Sequence, residues 1–459
     1  MIIILDGQTS IFELLYPTFK IDKPIRTIEL FGGYGSQLLA LKYLGANVEQ
    51  WKLCEWAIKS IQAYKDLHFE NDNFDYSKEL SAEQIKDFLY KKGISSNYNE
   101  PMTQQQVNRL NEKQVRTIYN NIKSTHNLVN IQQVKGEDLE ISDVDKYTYI
   151  MTYSFPCQDL SLAGKGKGMS DTTTRSGMLW EVERILTELK EKPQVLLMEN
   201  VPQVHGADNV KDFNKWQLRL EELGYKNYWQ DLIATDYGIP QTRNRTFMVS
   251  ILGDYNYTFP KPIPLKLKLK DLLEDNVDEK YYLSDKMINY ITSEDDKYKV
   301  SINDLKINRD IACSKTTREG NTRADTSDYI CDELPKNYNL KINCEISNNK
   351  QKVVIQENDV LLTNYLERRK NENDFVQKND ISCTLLTDCG HSIAIKNNLK
   401  IRRLTQKECF RLMGVKDEDY KKIAKNQSDS SLYHLAGDSI VCQGVLTSIF
   451  KELIKWWMS

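Results

Sequence analysis

Residues 26–56 read RTIELFGGYGSQLLALKYLGANVEQWKLCEW, and this stretch decides the fold. Residues 26–31 read as a strand. Gly32, Gly33 and Gly35 then turn the chain, and Leu38, Leu39, Leu41 and Leu44 recur at helical spacing up to Gly45. Residues 48–54 make a second strand that ends in Glu55-Trp56. Strand, turn, helix and strand in that order are the unit of a parallel sheet with crossover helices. The rhythm continues outward: strands at 147–153, 195–198, 227–233 and 245–251, and a helix at 177–189. The pattern predicts a doubly wound, Rossmann-like α/β core over residues 26–255.

Two segments interrupt this rhythm. Residues 66–130 are polar, with capping-box patterns at Ser81-x-x-Gln84 and Thr103-x-x-Gln106. Ile85, Phe88 and Leu89, then Val107, Leu110, Val115, Ile118 and Ile122, follow helical spacing, so an inserted pair of helices is expected. Residues 256–400 open with Pro260, Pro262 and Pro264 and break into short β-like pieces at 352–355, 381–386 and 392–395 among Asn, Asp and Gly turns. They predict a second, smaller, irregular and largely β domain, assigned to residues 256–429. Residues 1–255 and 430–459 then form the main domain, with 440–458 as a closing helix. No internal repeat is present.

Composition bounds the function. The chain has 459 residues, 40% of them apolar and 28% charged, as in an ordinary globular protein of two or three domains. The aliphatic start, Ile2 to Leu5, falls far short of the ~20 residues of a membrane span. It also lacks the flanks of a secretory signal. Nine cysteines without any C-x-x-C pair argue against a disulfide framework or a metal site and for a reducing, cytoplasmic setting. A net charge of −3 excludes a globally basic nucleic-acid binder, so any DNA-binding face must be a local patch.

The chemistry gathers at strand ends, where open α/β sheets build their sites. Gly33 and Gly35 let a nucleotide approach the backbone, although a ligand-free tight turn explains them as well. The pattern is not G-x-G-x-x-G, which disfavours a dinucleotide. Glu55 suits a ribose diol and Trp56 could stack on adenine; an exposed acid beside a core indole is the plain alternative. Pro156-Cys157 follows the third strand. A lone cysteine is usually a small buried hydrophobe, but the strand-end position and the adjoining loop Gly164-Lys165-Gly166-Lys167-Gly168 point to a nucleophile beside a phosphate-gripping lid. Glu199 ends the fourth strand, where a carboxylate needs a partner; a structural salt bridge is the bland account. Gln241-x-Arg243-x-Arg245 places an amide and two guanidiniums on one face of an extended segment, suited to phosphates or base carbonyls, or merely to a surface charge stripe.

Taken in order, ELFGGYGS (29–36), CEW (54–56), GED (136–138), SFPCQDLS (154–161), RSGMLWEVERIL (175–186), MENV (198–201), YGIPQTRNR (237–245), RRLTQKECFRLMGV (402–415) and AGDSI (436–440) resemble the DNA (cytosine-5)-methyltransferase family. The resemblance implies an S-adenosylmethionine-dependent methyltransferase core and a target-recognition domain. It also implies a cytosine flipped out of double-stranded DNA, because its ring edge is unreachable in the stack. It assigns Cys157, Glu199, Arg243 and Arg245 to catalysis. Phe31, Gly33, Gly35, Glu55, Trp56, Asp138, Pro156, Asp438 and Ser439 fall to the cofactor. Gln158, Ser161, Lys165, Lys167, Gln241, Arg318, Arg323 and the pair Thr384-Leu385 fall to DNA. This sequence departs from the family pattern at Glu29 (usually Asp), Ser36 (usually Gly), Glu137 (commonly Gly) and Asp438 (usually Asn).

The implied role is restriction–modification or phage anti-restriction, in a prokaryotic or phage setting. The implied enzyme is a cytoplasmic monomer, and a cognate restriction endonuclease would act separately. Two other functions compete: an RNA cytosine-5 methyltransferase, disfavoured by the long insert before Arg402, and a non-catalytic DNA-binding homologue, disfavoured by the retained Cys157, Glu199 and Arg245.

Overall fold

In the computed structural model the described residues are 17–155, 176–284, 306–315, 328–331, 340–346, 349–355, 359–361, 376–378 and 401–455. Six strands form the central sheet: β1 (Ile25–Leu30), β2 (Val48–Cys54), β3 (Thr148–Tyr153), β4 (Val195–Asn200), β5 (Tyr225–Ile233) and β6 (Asn244–Leu252), in the order β2-β1-β3-β4-β6-β5. The first four run parallel, as expected. β6 departs from the parallel pattern that the strand–helix rhythm predicts: it inserts between β4 and β5 and runs antiparallel to both.

Both faces of the sheet's centre are covered, so β3 and β4 are buried along their whole length, whereas the edge strands β2 and β5 carry polar, partly exposed residues. Ile150, Val195, Leu197, Phe247 and Val249 point to one face, and Tyr149, Met151, Leu196, Met198 and Met248 to the other. The second face packs against α6 (Leu179–Glu188) through Val182, Ile185 and Leu186, and against α7 (Val210–Glu222) through Phe213, Trp216 and Leu220. The first face packs against α1 (Ser36–Tyr43) and a C-terminal group: α8 (Gln406–Leu412), α9 (Asp417–Ala424), α10 (Asp429–Gly437) and α11 (Thr447–Leu453).

That group corrects the expected domain boundary at 429. Leu404, Phe410, Leu412, Val415 and Ile423 share one core with the sheet, so the chain rejoins the main domain by about Ile401. A fully buried bidentate pair, Arg402 to Glu408 at 2.9 and 3.0 Å, fastens the return. The closing helix is also shorter than expected. It begins at Thr447, because Gly444 at φ 91° passes so close to the carbonyl of Tyr237 that a Cβ there would lie 2.5 Å from it.

α2 (Ile58–His68) follows β2 and leads into the insertion, which holds three helices rather than two: α3 (Ala82–Lys92), α4 (Gln104–Asn108) and α5 (Glu112–Ser124). Both expected capping boxes form, and Asn111 with Gln114 makes a third that splits the apolar run. Ile85, Leu89, Val107, Val115, Ile118 and Ile122 give the insertion its own core, into which Trp56 packs. A three-stranded sheet of Lys306–Ile307, Asp328–Cys331 and Ile401–Arg403 joins the smaller domain to the returning chain, and two antiparallel pairs lie within 340–378. No helix of the described residues is long and apolar enough to cross a membrane.

Candidate active site at the carboxyl edge of the sheet

β4 delivers Glu199 to the carboxyl edge of the sheet. β6 runs the other way, with Asn200 opposite Thr246, so it begins at the edge where β4 ends. Arg245, at the start of β6, therefore meets Glu199: its Nε lies 3.1 Å from Oε1. Glu199 is buried, and burial pushes its carboxyl above the ordinary glutamate range; Arg245 and Arg243 pull it back, and the nearby Asp438 carboxylate pushes it up again. The result is a carboxyl held beside a guanidinium yet inclined to keep a proton. Asn200, next along, donates from Nδ2 to the carbonyl of Phe155 at 3.1 Å and accepts from the Val201 N–H at 2.8 Å. It thereby ties β4 to the segment that follows β3. Pro156, Cys157, Gln158, Ser161, Lys165 and Lys167 lie outside the described residues, as do Arg318, Arg323, Thr384 and Leu385.

Arg243 and Gln241 act differently from what was expected of them. Arg243 is buried, and its guanidinium donates to the carbonyls of Lys315 (3.0 Å), Gly437 (3.2 Å) and Ser439 (2.7 Å). Such a group positions the loop carrying Asp438; it is not free to take a base or phosphate. Gln241 has no exposed surface, donates to the Leu412 carbonyl at 2.8 Å and accepts from the Lys315 N–H at 3.0 Å. It cannot touch DNA. Lys315 in turn makes a fully buried ion pair with Asp328 at 2.6 Å, so residues 241–243 anchor the smaller domain to the core.

Beside the Glu199–Arg245 pair, which feels the charge of Asp438, lies a cleft lined in part by Phe31, Gly33, Ser60, Ser154, Asp438 and Ser439. Of the expected cofactor residues, Phe31 and Gly33 thus come from the first turn, and Asp438 and Ser439 from the loop after α10. The two glycines of the turn differ. A Cβ on Gly33 would meet nothing within 4 Å, whereas one on Gly35 would lie 2.5 Å from His68 Nε2 and 2.6 Å from Tyr64 Cε2. Gly33 opens the cleft; Gly35 serves packing, a correction to its expected cofactor role. Glu55 stands behind this wall, its Oε2 accepting from the Gly33 N–H at 3.0 Å and its Oε1 from the Ala57 N–H at 2.7 Å. Burial pushes its carboxyl up to about 7.

Asp438 opens to the cleft, yet the protein surrounding this concave floor pushes its carboxyl up to about 6, against the pull of Arg243 and Arg245. The residues present fit a small polar cofactor: a glycine where a side chain would obstruct, and a buried Tyr34 hydroxyl facing the lining with no hydrogen-bond partner among the described residues. Trp56 and Asp138 do not line the cleft. Trp56 lies against the insertion core, and Asp138 accepts from the Lys135 N–H of its own turn at 2.8 Å.

One positioning residue carries no signal in the sequence. Asn127 accepts from the Glu55 N–H at 3.0 Å and donates to the Glu55 carbonyl at 2.9 Å, clamping the end of β2 from within the insertion. No motif marks it; it follows helix α5 as an ordinary polar residue.

A family model described as C-5 cytosine-specific DNA methylase matches residues 88–455. The chain is 32% identical over 436 residues to the Type II methyltransferase M2.ScrFI of Lactococcus lactis subsp. cremoris, covering 94% of this chain and 99% of that relative. It is 36% identical over 307 residues to the orphan methyltransferase M.SssI of Spiroplasma monobiae, covering 65% and 76%. Among solved structures, the S. pombe Dnmt2 methyltransferase matches with a TM-score of 0.54 at 14% identity, covering 93% of this chain and 96% of that one. The Entamoeba histolytica methyltransferase EhMeth matches with a TM-score of 0.56 at 15% identity, covering 95% and 100%. At these identities the two structures speak for the fold alone.

Proposed function

The chain belongs to the C-5 cytosine-specific DNA methylase family, and from that premise we propose that it methylates C5 of a cytosine flipped out of a specific site in double-stranded DNA. The observation that carries this reading is the Glu199–Arg245 pair, 3.1 Å apart at the carboxyl edge and next to a cleft walled by the glycine turn and by Asp438 and Ser439. S-adenosylmethionine, when bound, supplies an electrophilic methyl group. Phe31, Gly33, Asp438 and Ser439 would border it, with Glu55 fixing the glycine turn from behind.

In the proposed sequence the Cys157 thiolate bonds to C6, which makes C5 nucleophilic. Glu199 hydrogen-bonds N3 and the exocyclic amine, and its reluctance to ionise lets it act as a donor to N3 while negative charge develops in the ring. Arg245 holds O2. After methyl transfer, loss of the C5 proton and expulsion of the cysteine thiolate restore the aromatic ring, so one difficult step becomes several easier ones. Arg243 positions the loop at 437–439 and does not enter the chemistry. The protein would work as a monomer in a bacterial cytoplasm. Its role would be restriction–modification or phage anti-restriction, with any cognate endonuclease acting separately, in keeping with the relatives' names.

The test is transfer of tritiated methyl from S-adenosylmethionine to duplex DNA and, in parallel, to tRNA. Incorporation into duplex DNA, abolished by Cys157→Ser, is expected. Normal turnover by that variant, or incorporation into tRNA alone, would remove the proposal.

A further inference from the structure

The insertion packs on a residue that lines the cleft. Its loop after α3 is stitched to the start of α2: the Ser95 N–H donates to the Trp56 carbonyl at 2.8 Å, and the Ile58 N–H donates to the Ser95 carbonyl at 2.9 Å. Within the loop, Asn97 Oδ1 accepts from the N–H groups of Asn99 (2.9 Å) and Glu100 (3.2 Å). Between them Tyr98 is held at φ 63°, a left-handed conformation that tyrosine rarely adopts. Its ring stacks on that of His434, with centroids 3.8 Å apart and planes 31° from parallel. His434 belongs to α10 and lines the cleft with Ser60 and Asp438. Through His434, the insertion loop thus backs the side of the cleft that the C-terminal helix lines.

The polar atoms of this stacked pair are unsatisfied. The Tyr98 hydroxyl and His434 Nε2 are both buried; His434 Nε2 finds no hydrogen-bond partner among the described residues, and the Tyr98 hydroxyl has only the Ser60 and Ser431 hydroxyls beside it, neither in full hydrogen-bonding geometry. Native proteins rarely leave such atoms unpaired, and each case calls for an occupant. The surroundings define what they can offer. Burial pushes Tyr98 up to about 12, so it keeps its proton and donates; burial pushes His434 down, so its imidazole is neutral. The Tyr98 hydroxyl lies near Ser60 and Ser431, with the charges of Glu55 and Asp438 close enough to be felt.

We propose that the insertion is part of the cofactor site, and that Tyr98 and His434 form a wall of the cleft whose hydroxyl and ring nitrogen hydrogen-bond oxygens of the bound cofactor. This inference rests on S-adenosylmethionine being the cofactor. It gives the insertion a function, which is to carry Tyr98 to a cleft otherwise built by the first glycine turn, the start of α2 and the loop after α10.

The experiment is calorimetric binding of S-adenosylmethionine and S-adenosylhomocysteine to the full chain, wild type, Tyr98→Phe and Tyr98→Ala, with thermal melting of each in the absence of ligand. Loss of one neutral hydrogen bond predicts that Tyr98→Phe binds both ligands about three- to tenfold more weakly. The two ligands should weaken equally, since they carry the same oxygens. Tyr98→Ala also loses the stack and should weaken binding further. Without ligand, Tyr98→Phe should melt at or above the wild-type temperature, because it removes a buried hydroxyl that had no partner in full hydrogen-bonding geometry. Its ligand-induced gain in melting temperature should shrink. Wild-type affinity in Tyr98→Phe would overturn this inference while leaving the proposed function standing. A wild-type protein that binds neither ligand would overturn both.

Discussion

Arg243 and Arg245 are two residues apart on one extended segment, yet they should fail in different ways. Arg243 is buried and donates to three carbonyls, at 3.0, 3.2 and 2.7 Å, which belong to residues 315, 437 and 439. A hydrogen bond from a charged donor contributes roughly 1.5–3 kcal/mol, and such bonds in one network do not simply add. Arg243→Ala strands the carbonyls and releases both the Asp438 loop and the anchor of the smaller domain. We expect it to cost about 3–5 kcal/mol, a large part of the roughly 5–15 kcal/mol that holds a domain folded. Arg245 is partly exposed and pairs with Glu199, a carboxyl that can take up a proton once its partner is gone. Arg245→Ala should therefore cost about 1 kcal/mol or less in stability while lowering single-turnover methyl transfer about 10²- to 10³-fold. Urea unfolding followed by tryptophan fluorescence, beside single-turnover kinetics on duplex DNA, separates the two. Arg243→Lys, whose ammonium can serve only part of the acceptor set, should fall between Arg243→Ala and wild type. An Arg243→Ala protein that unfolds at the wild-type urea midpoint but has lost methyl transfer would refute the reasoning and return that guanidinium to the chemistry.

Glu199→Gln should lower single-turnover methyl transfer by about 10²- to 10³-fold while S-adenosylmethionine affinity stays within about twofold, since the carboxyl acts on the base. In wild type the rate should fall on the alkaline side as the raised Glu199 carboxyl loses its proton, and that limb should vanish in the variant. A large calorimetric loss of cofactor affinity in Glu199→Gln would contradict the assignment. Glu29 is fully buried, accepts from Tyr64 and the Leu38 N–H, and is pushed up to about 7 by burial. A carboxyl raised on folding favours the folded state below its unfolded value, and that contribution is lost as pH rises through about 7. Stability should thus decline between about pH 5 and 8, with Glu29 supplying up to about 3 kcal/mol of the change. Glu29→Gln should flatten the profile of urea midpoint against pH. Gly35→Ala should cost about 2–5 kcal/mol through overlap with Tyr64 and His68 and through its φ of 82°. Gly33→Ala should cost only about 1–2 kcal/mol, yet weaken cofactor binding by entering the cleft. Melting curves in which Gly33→Ala is the less stable of the two would reverse the roles given to these glycines.

The strands were legible because a sheet covered on both faces writes itself as uninterrupted apolar runs, and residues 147–153 and 195–198 needed nothing else. Glu199 and Arg245 were legible because their strand ends were. Strand direction leaves a fainter mark in the sequence. The link between β5 and β6, residues 234–243, is shorter than the dozen or more residues a parallel crossover needs, and it holds Gly238 and Pro240 in place of a helix. Gln241 and Arg243 misled for a different reason. Period-two spacing shows that side chains share a face and says nothing about what covers it. Here Lys315, Leu412 and the loop at 437–439 cover it, all more than 70 residues away in sequence. The same non-locality hid the return of the chain at Ile401, where an amphipathic helix reads alike whether it closes one domain or the next.

The reversal of β6 is what allows a carboxylate and a guanidinium from distant strands to act together. Had β6 run parallel to β4, Arg245 would open it at the amino edge of the sheet, a full strand length from Glu199. At about 3.3 Å per residue along β4, the stretch from Val195 to Glu199 would hold them roughly 13 Å apart. The antiparallel register instead sets Thr246 opposite Asn200, so the first turn of chain before β6 lands where β4 ends. The same segment then has to leave the sheet edge, and Gln241 and Arg243 fix its departure to the smaller domain through Lys315 and to the cofactor loop through residues 437 and 439. The proposed base pocket, the proposed cofactor cleft and the smaller domain therefore share one short stretch of backbone. Displacing Arg243 should loosen all three together, whereas displacing Arg245 should disturb only the first.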